Sequence, residues 1–374
     1  MTQDYKSQMT NTYKDIYKDR YNLNPSLLKD LLKICKMNLN EMNISLKKLT
    51  KMNVLNIGTG VESVVLHILG ANKVFHRDIS NIAVKSVIKH KQKYKRLDSD
   101  IIDVCREKLN ISEKVEGGGG VDLIFLCGVF HHFNKPKYGL QNLIDNLNYK
   151  GYIYIKNYSS GSLQFFVADF LRKFYPKQKQ KSIQKSIEKK YGKLDLNRKN
   201  WKKKFLTHLY CNCGVDDSCV PTLNLFDGNE FQDYLTKHNF KNLKKRKYKN
   251  YFHKDFSLKD LDHREFIFQN LNKNKIKLRG NFPKHIDQLS LKYRENYIKK
   301  TVNLMKNKLR KIKKSSLKKK TDLLVSLIYI ANVFRYHKTL KKINHNFFNT
   351  NIKNLSTAKG VHYLLQKELI KKVL

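Results

Sequence analysis

Short apolar segments with the spacing of β-strands alternate with amphipathic segments of helical spacing over residues 53–156. Strands are predicted near residues 53–57, 73–78, 96–102, 121–126 and 149–156, with helices near 61–69, 81–93 and 137–147. Strands separated by single helices form βαβ units, and consecutive units build a mostly parallel sheet. A helix near 225–235 and strands near 240–249 and 264–269 predict an antiparallel pair that completes a seven-stranded sheet.

The segments that lack this alternation of strands and helices are predicted to be additions to a single core domain. Residues 1–50 form an N-terminal helical cap, and the core domain covers residues 51–270. An insertion at 157–220 is first aromatic and amphipathic and then strongly charged, and residues 271–374 form a lysine-rich extension. The predicted fold class is α/β: a Rossmann-like, mostly parallel seven-stranded sheet with helices on both faces, a helical insertion and a basic helical C-terminal extension.

The excess of basic residues is the strongest feature of the composition. Lys and Arg total 76 against 31 Asp and Glu, which gives a formal net charge of +45 among 374 residues. Such a charge favours a polyanionic partner, either nucleic acid or an anionic membrane. Lysine greatly outnumbers arginine, however, whereas phosphate recognition often uses the bidentate arginine side chain. A compositional bias of the coding sequence explains the charge equally well, and both interpretations stay open.

The sequence predicts a soluble protein of a reducing, cytoplasmic compartment. Its six cysteines are scattered, and its first residues are polar rather than typical of a signal peptide. The longest apolar run, residues 323–334, is shorter than the stretch of about 20 residues that spans a bilayer. No transmembrane segment is therefore expected.

Two glycines follow the first predicted strand, in the segment Val54–Ser63, and an apolar helical pattern begins directly after them. A strand that turns into a helix through Gly58-x-Gly60 lets a ligand approach bare backbone at a helix N-terminus. Asp78 ends the next strand, about 20 positions on, where nucleotide-binding folds hold ribose hydroxyls. The structural alternatives are an ordinary tight turn for the glycines and an aspartate that caps the helix beginning near Ser80.

Four segments together resemble class I S-adenosylmethionine-dependent methyltransferases, in particular the broad group that includes the quinone-biosynthesis methylases. The segments are, in order, VLNIGTG, HRDIS, LDSDI and DLIFLCGVFHHF. The resemblance covers roughly residues 50–160 closely and residues 221–270 loosely. It implies the cofactor S-adenosylmethionine and transfer of its methyl group to an acceptor.

The resemblance also implies which residues contact the cofactor. Gly58, Thr59 and Gly60 would meet the methionyl part, Asp78 the ribose and Asp100 the adenine, with Asp98 as the alternative if the strand register shifts. The complete set of implied cofactor-binding residues is Asn56, Gly58, Thr59, Gly60, Asp78, Ile79, Asp100, Cys127, Gly128 and Val129.

Two positions depart from the family pattern. Asn56 replaces the usual acidic residue before the first glycine, and it can still hydrogen-bond backbone amides of the loop. Glu62 replaces the third glycine of a dinucleotide-binding loop, which disfavours a pyrophosphate ligand. S-adenosylmethionine has no phosphate, so a carboxylate near the loop is less unfavourable for it.

His131 and His132 follow the fourth strand, at the rim where an acceptor would arrive. A neutral imidazole there can take a proton from a hydroxyl or an amine. The structural alternative is that at least one of them is bonded to a backbone carbonyl. No Asn-Pro-Pro-Tyr-type tetrapeptide follows this strand, which disfavours methylation of nucleobases.

A group of four residues resembles a metal site in its residue types: His208, Cys211, Cys213 and Cys219. Four nitrogen and sulfur ligands would suit tetrahedral zinc, but only one residue separates Cys211 from Cys213, whereas common zinc sites use Cys-x2-Cys pairs. No metal is therefore predicted.

The sequence favours a methyltransferase that uses S-adenosylmethionine and acts on a small-molecule or lipid-like acceptor at oxygen, carbon or nitrogen. One alternative is an RNA methyltransferase that binds nucleic acid through its lysine-rich extension. A second alternative is a non-catalytic binding module with a methyltransferase fold, which the departures at Asn56 and Glu62 motivate.

Overall fold

A computed structural model describes residues 5–10, 25–91, 96–158, 220–224, 226, 228–244 and 263–283. The chain divides into two compact units, and all of these residues belong to the first. Most of the predicted insertion, including the His208 and Cys211 group, and residues 284–374 of the predicted extension lie outside the described residues.

The described residues form a sheet of seven strands. They are β1 Asn53–Ile57, β2 Lys73–Asp78, β3 Leu97–Ile101, β4 Val121–Cys127, β5 Leu147–Tyr158, β6 Phe240–Asn242 and β7 His263–Asn270. Their order in the sheet is β3-β2-β1-β4-β5-β7-β6. The first five strands pair in parallel, and β7 runs antiparallel to both β5 and β6. The predicted Rossmann-like α/β fold, with an antiparallel pair at one edge, is confirmed.

Helices cover both faces of the sheet. They are α1 Pro25–Glu41, α2 Leu46–Leu49, α3 Val61–Ile68, α4 Asn81–Lys91, α5 Pro136–Ile144 and α6 Gly228–Lys237, and residues 5–10 are also helical. α1, α3 and α4 contribute to one hydrophobic cluster, whereas α5 and α6 contribute to the other. Within the described ranges, no helix is long and apolar enough to cross a membrane.

The sequence of β4 is a continuous apolar run because both faces of this central strand are buried. Successive side chains of a strand point to opposite faces of the sheet. Leu123 and Phe125 therefore enter the cluster beneath α1 and α3, and Ile124 and Leu126 enter the cluster beneath α5 and α6. All four side chains are fully buried, as expected for a parallel strand that is covered on both faces.

A buried ion pair joins β2 to β3 directly beside the end of β2. The Arg77 guanidinium donates to the Asp98 carboxylate at 2.6 Å, and the two side chains are only 2% and 23% exposed. Partial burial alone would raise the pKa of Asp98, but the charges and hydrogen bonds of Arg77 and Lys114 together outweigh it, and the net effect lowers that pKa. Lys114 lies 3.5 Å from the same carboxylate. Asp98 is thus paired with Arg77, which favours Asp100 as the ligand-binding residue; both assignments stay predictions.

Replacing Asp98 with Asn should lower the free energy of unfolding by about 3 kcal/mol, because the buried guanidinium of Arg77 then lacks a counter-charge. Asp100→Asn is the matched control from the same strand. The Asp100 side chain is 53% exposed and lies 3.9 Å from Lys114, so we expect a change below about 0.5 kcal/mol. Denaturant unfolding of both variants measures the difference, and equal losses would contradict a structural role specific to Asp98.

Candidate active site

The turn from β1 into α3 requires glycine at two positions. Gly58 has a φ of 130° and Gly60 a φ of 81°, which are conformations that L side chains rarely adopt. A Cβ on Gly58 would lie 2.7 Å from Cγ2 of Val129, and one on Gly60 would lie 2.2 Å from Cγ2 of Val87. Any larger residue would therefore displace both the loop and the side chains around it, so the backbone is left bare at the start of α3.

A histidine that the sequence did not single out supports this loop from below. His76, in the middle of β2, is fully buried. Its Nε2 lies 2.7 Å from the carbonyl oxygen of Gly58, and its Nδ1 lies 2.7 Å from the Ser99 hydroxyl of β3. A carbonyl only accepts, so Nε2 carries the proton and Nδ1 accepts from Ser99. Burial lowers the pKa of His76 to about 4, and the ring is therefore neutral near pH 7.

Asn56 lies under the same loop but bonds elsewhere than predicted. Its amide nitrogen donates to the carbonyl of Phe125 in β4 at 2.9 Å, and its oxygen accepts from the Ser63 hydroxyl of α3 at 2.7 Å. These bonds tie β1 to β4 and to α3, so the prediction that Asn56 bonds the loop amides is wrong. Within the loop, Thr59 donates its hydroxyl to Glu62 at 3.4 Å.

Asp78 ends β2 at the same edge of the sheet. One of its oxygens accepts the backbone amide of Ser80 at 2.6 Å, which is the local turn that the structural alternative predicts. Its second oxygen has no hydrogen-bond partner among the described residues. Burial raises the pKa of Asp78 from 3.8 to about 7, because no cation offsets the loss of solvent. A partly exposed carboxylate with one unused oxygen can accept hydrogen bonds from a ligand.

Asp100 lies in β3, one residue before the strand ends, and it is exposed. One of its oxygens accepts the amide of the next residue, Ile101, at 2.9 Å. The amide of Ile102 donates to the carbonyl of Asp78 at 3.0 Å, which brings the end of β3 beside the end of β2. Ile79, directly after β2, is partly exposed. The roles of Asp100 and Ile79 in cofactor binding stay predictions.

The end of β4 reaches the glycine loop. Cys127, Gly128 and Val129 are all partly exposed, and Gly128 has a φ of 71°. The amide of Gly128 donates to the carbonyl of Lys156 in β5 at 2.8 Å. Val129 lies against Gly58, as described above. The segments that follow β1 and β4 therefore meet at the carboxyl edge of the sheet, where folds of this type bind ligands.

Both predicted histidines lie in the turn Phe130–His132, and both are buried. Nδ1 of His131 bonds the side-chain oxygen of Asn157 in β5. Nδ1 of His132 lies 3.1 Å from the carbonyl oxygen of Thr222, so His132 makes the backbone contact that the structural alternative predicts. The Tyr5 hydroxyl donates to the carbonyl of His132 at 2.8 Å, which places part of the N-terminal segment against this turn.

The structure brings the predicted residues of β1, β2, β3 and β4 to one edge of the sheet. Sequence reasoning missed the two residues that support them, His76 and Asn157. Neither gives a local signal, because each has its partner far away in the sequence. No group of potential metal ligands occurs within the described ranges.

No family model and no curated protein matches the sequence. Several solved structures resemble this one. Magnesium protoporphyrin IX methyltransferase ChlM from Synechocystis PCC 6803, with bound SAH, is 12% identical, with a TM-score of 0.39 over 71% of this chain and 99% of ChlM. PKMT2 from Rickettsia typhi is 14% identical, with a TM-score of 0.40 over 60% of this chain and 51% of PKMT2.

A third similar structure is the N-methyltransferase NodS from Bradyrhizobium japonicum WM9 in complex with S-adenosylhomocysteine. It is 14% identical, with a TM-score of 0.30 over 40% of this chain and 74% of NodS. This chain spans 44% of the cyclase SpnF and 49% of the CurJ carbon methyltransferase, about half the length of each. The function proposed for this chain therefore rests on its own residues.

The neutral His76 generates a prediction for acid stability. Its pKa is about 4 in the folded chain against an ordinary value of 6.5, so the unfolded chain binds more protons between these values. Stability is therefore lost as the pH falls from about 6.5 towards 4, by up to about 3 kcal/mol from this group alone. His76→Gln can still donate to Gly58 but does not titrate, and its unfolding free energy should fall less over this range. If the unfolding free energies of the wild type and His76→Gln change equally with pH, His76 is not buried in the neutral form.

Proposed function

We propose that this chain is an S-adenosylmethionine-dependent methyltransferase that acts on a small-molecule or lipid-like acceptor at oxygen, carbon or nitrogen. One observation carries the proposal: the unused oxygen of Asp78 lies at the end of β2, beside a glycine turn with no room for side chains. This combination offers a hydrogen-bond acceptor for a ribose and bare backbone for the group attached to it.

The residues at this edge fit the proposed cofactor. Its ribose carries two vicinal hydroxyls, and a carboxylate is the side chain that accepts from both. Gly58, Thr59 and Gly60 would lie along the methionyl part, and Asp100 would meet the adenine. Glu62 points to the same choice of ligand, because a carboxylate beside the loop repels a pyrophosphate and S-adenosylmethionine has none.

When bound, the cofactor supplies an electrophilic methyl group. The chain then has three tasks, which are to position the acceptor in line with that methyl group, to exclude water and to remove a proton where the acceptor loses one. Cys127, Gly128 and Val129 would cover the open side of the cofactor. His131 and His132 are the candidates for the proton acceptor, and their turn is buried beneath Tyr5 and Thr222. An enclosed turn suits a small acceptor better than a macromolecule.

The two alternative functions, an RNA methyltransferase and a non-catalytic binding module, have different requirements. An RNA methyltransferase would depend on the lysine-rich extension, of which residues 284–374 lie outside the described residues. A non-catalytic binding module would bind the cofactor without consuming it. Formation of S-adenosylhomocysteine in the presence of any acceptor would exclude the binding module.

Asp78→Asn separates the two contacts of Asp78. The variant keeps an oxygen for the Ser80 amide but places an NH2 group, which cannot accept, at the position of the unused oxygen. Hydrogen bonds to a charged group contribute about 1.5–3 kcal/mol, so affinity for S-adenosylhomocysteine should fall about ten- to a hundred-fold. The unfolding free energy at about pH 8 should not fall, since the variant removes a buried charge.

Titration calorimetry and denaturant unfolding measure both quantities on one protein. Glu113→Gln is the control, because Glu113 is an exposed acid in a different part of the chain and its loss should change neither quantity. Lower stability of Asp78→Asn with unchanged affinity would show that Asp78 serves only the turn.

The raised pKa of Asp78 also predicts a pH dependence of cofactor binding. The ionised carboxylate is the better acceptor, and with a pKa of about 7 it is only partly ionised at neutral pH. Affinity for S-adenosylhomocysteine should therefore rise as the pH increases from about 6 to about 8, by about tenfold, with release of a proton on binding. Asp78→Asn should show no such rise. An equal pH dependence in both proteins would assign it to another group.

A further inference from the structure

We propose that the hydroxyl of Ser80 donates a hydrogen bond to a ribose oxygen of the bound cofactor. The inference rests on the proposed function, and it adds a second ribose contact to that of Asp78. Ser80 lies between the end of β2 and the start of α4, and it is not among the cofactor-binding residues that the sequence implies.

Ser80 occupies the position from which a serine side chain normally caps a helix. α4 begins at Asn81, and the amide of Val84 donates to the carbonyl oxygen of Ser80 at 3.2 Å. A serine at this position usually accepts a hydrogen bond from an amide of the first helical turn through its side-chain oxygen. The Ser80 hydroxyl, however, has no hydrogen-bond partner among the residues that the structure describes, although Ser80 is only 5% exposed.

Ser45 shows the usual arrangement in the same chain. It precedes α2, and its side-chain oxygen accepts the backbone amide of Lys48 at 3.1 Å. A buried hydroxyl without a partner is unfavourable, because folding removes its hydrogen bonds to water and puts none in their place. The unused hydroxyl of Ser80 is therefore explained if its partner is a ligand.

The position of Ser80 fits a ligand at the edge of the sheet. Its amide donates to one oxygen of Asp78 at 2.6 Å, so the two residues belong to one turn. Ser80 shares the buried side of α4 with Val84 and Val87, which follow it by four and seven residues. Val87 is the side chain that a Cβ on Gly60 would meet. Ser80 thus lies on the side of α4 that packs towards the glycine turn.

The ribose of the cofactor would supply the partner that the Ser80 hydroxyl lacks. Each of its two neighbouring hydroxyl groups can donate one hydrogen bond and accept two. The second oxygen of Asp78 would accept from this diol, and an ionised carboxylate cannot donate in return. The Ser80 hydroxyl can donate, and rotation about its single side-chain torsion would turn it towards a ligand at Asp78. The two side chains would therefore make complementary contacts with the ribose.

The test is titration calorimetry of the full chain with S-adenosylhomocysteine and with the 2′-deoxy and 3′-deoxy analogues of this ligand. Ser80→Ala removes only the hydroxyl, so affinity for S-adenosylhomocysteine should fall about three- to tenfold. The analogue that lacks the contacted oxygen should bind to wild type and to Ser80→Ala with affinities within about twofold of each other. The other analogue should show the same loss as S-adenosylhomocysteine.

Thermal unfolding without ligand separates this role from helix capping. Ser80→Ala should leave Tm unchanged or raise it, because the hydroxyl makes no hydrogen bond to a described residue that the variant would lose. Ser45→Ala is the matched control. It removes a side-chain cap that is formed, so it should lower Tm and leave the affinities for all three ligands unchanged.

The proposal is overturned if Ser80→Ala binds S-adenosylhomocysteine as tightly as wild type, or if it loses affinity equally for all three ligands. A lower Tm with unchanged affinity would assign the hydroxyl to capping α4 and overturns the proposal as well. In each of these outcomes the wild-type chain still binds, so the proposed function stands. A wild-type chain that binds none of the three ligands would contradict the proposed function and this inference together.

Discussion

The reversal of the chain between β1 and α3 is the constraint on which the candidate site depends. Gly58 and Gly60 have positive φ angles, and Val129 and Val87 occupy the space that side chains on these glycines would need. The buried His76 holds the carbonyl of Gly58 from below and is itself held from β3. The loop is thus fixed by β1, β2, β3 and the end of β4 together, which preorganises the backbone for a ligand.

The Asp78 carboxylate lies at this edge of the sheet, where burial disfavours its charged form. Burial without a cation raises the pKa of Asp78, so the folded chain without ligand loses stability as the pH rises through about 7. A structural aspartate would gain from a second donor, and Arg77, one residue away, is directed to Asp98 instead. Groups that are left strained or poorly solvated in this way are concentrated at functional sites.

The sequence was sufficient to predict the fold and the main positions of the site, because those signals are local. Short segments of strand character predicted β1 and β2 with the observed bounds, and the spacing from Gly58 to Asp78 placed both residues at one edge of the sheet. The supporting contacts could not be predicted. His76 bonds a carbonyl 18 residues away, and His131 bonds a side chain 26 residues away. Such contacts depend on the tertiary arrangement: the strand register pairs Arg77 with Asp100, yet the Arg77 guanidinium binds Asp98, two residues earlier in β3.

The proposed cofactor site is tested most directly by a crystal structure of the full chain with S-adenosylhomocysteine. The ribose hydroxyls should lie within hydrogen-bond distance of the second oxygen of Asp78, with the homocysteine part against the backbone of Gly58 and Gly60. His76 should keep its bond to the Gly58 carbonyl in the complex. A ligand bound at another place on the chain, with Asp78 bonded only to Ser80, would contradict the proposed site.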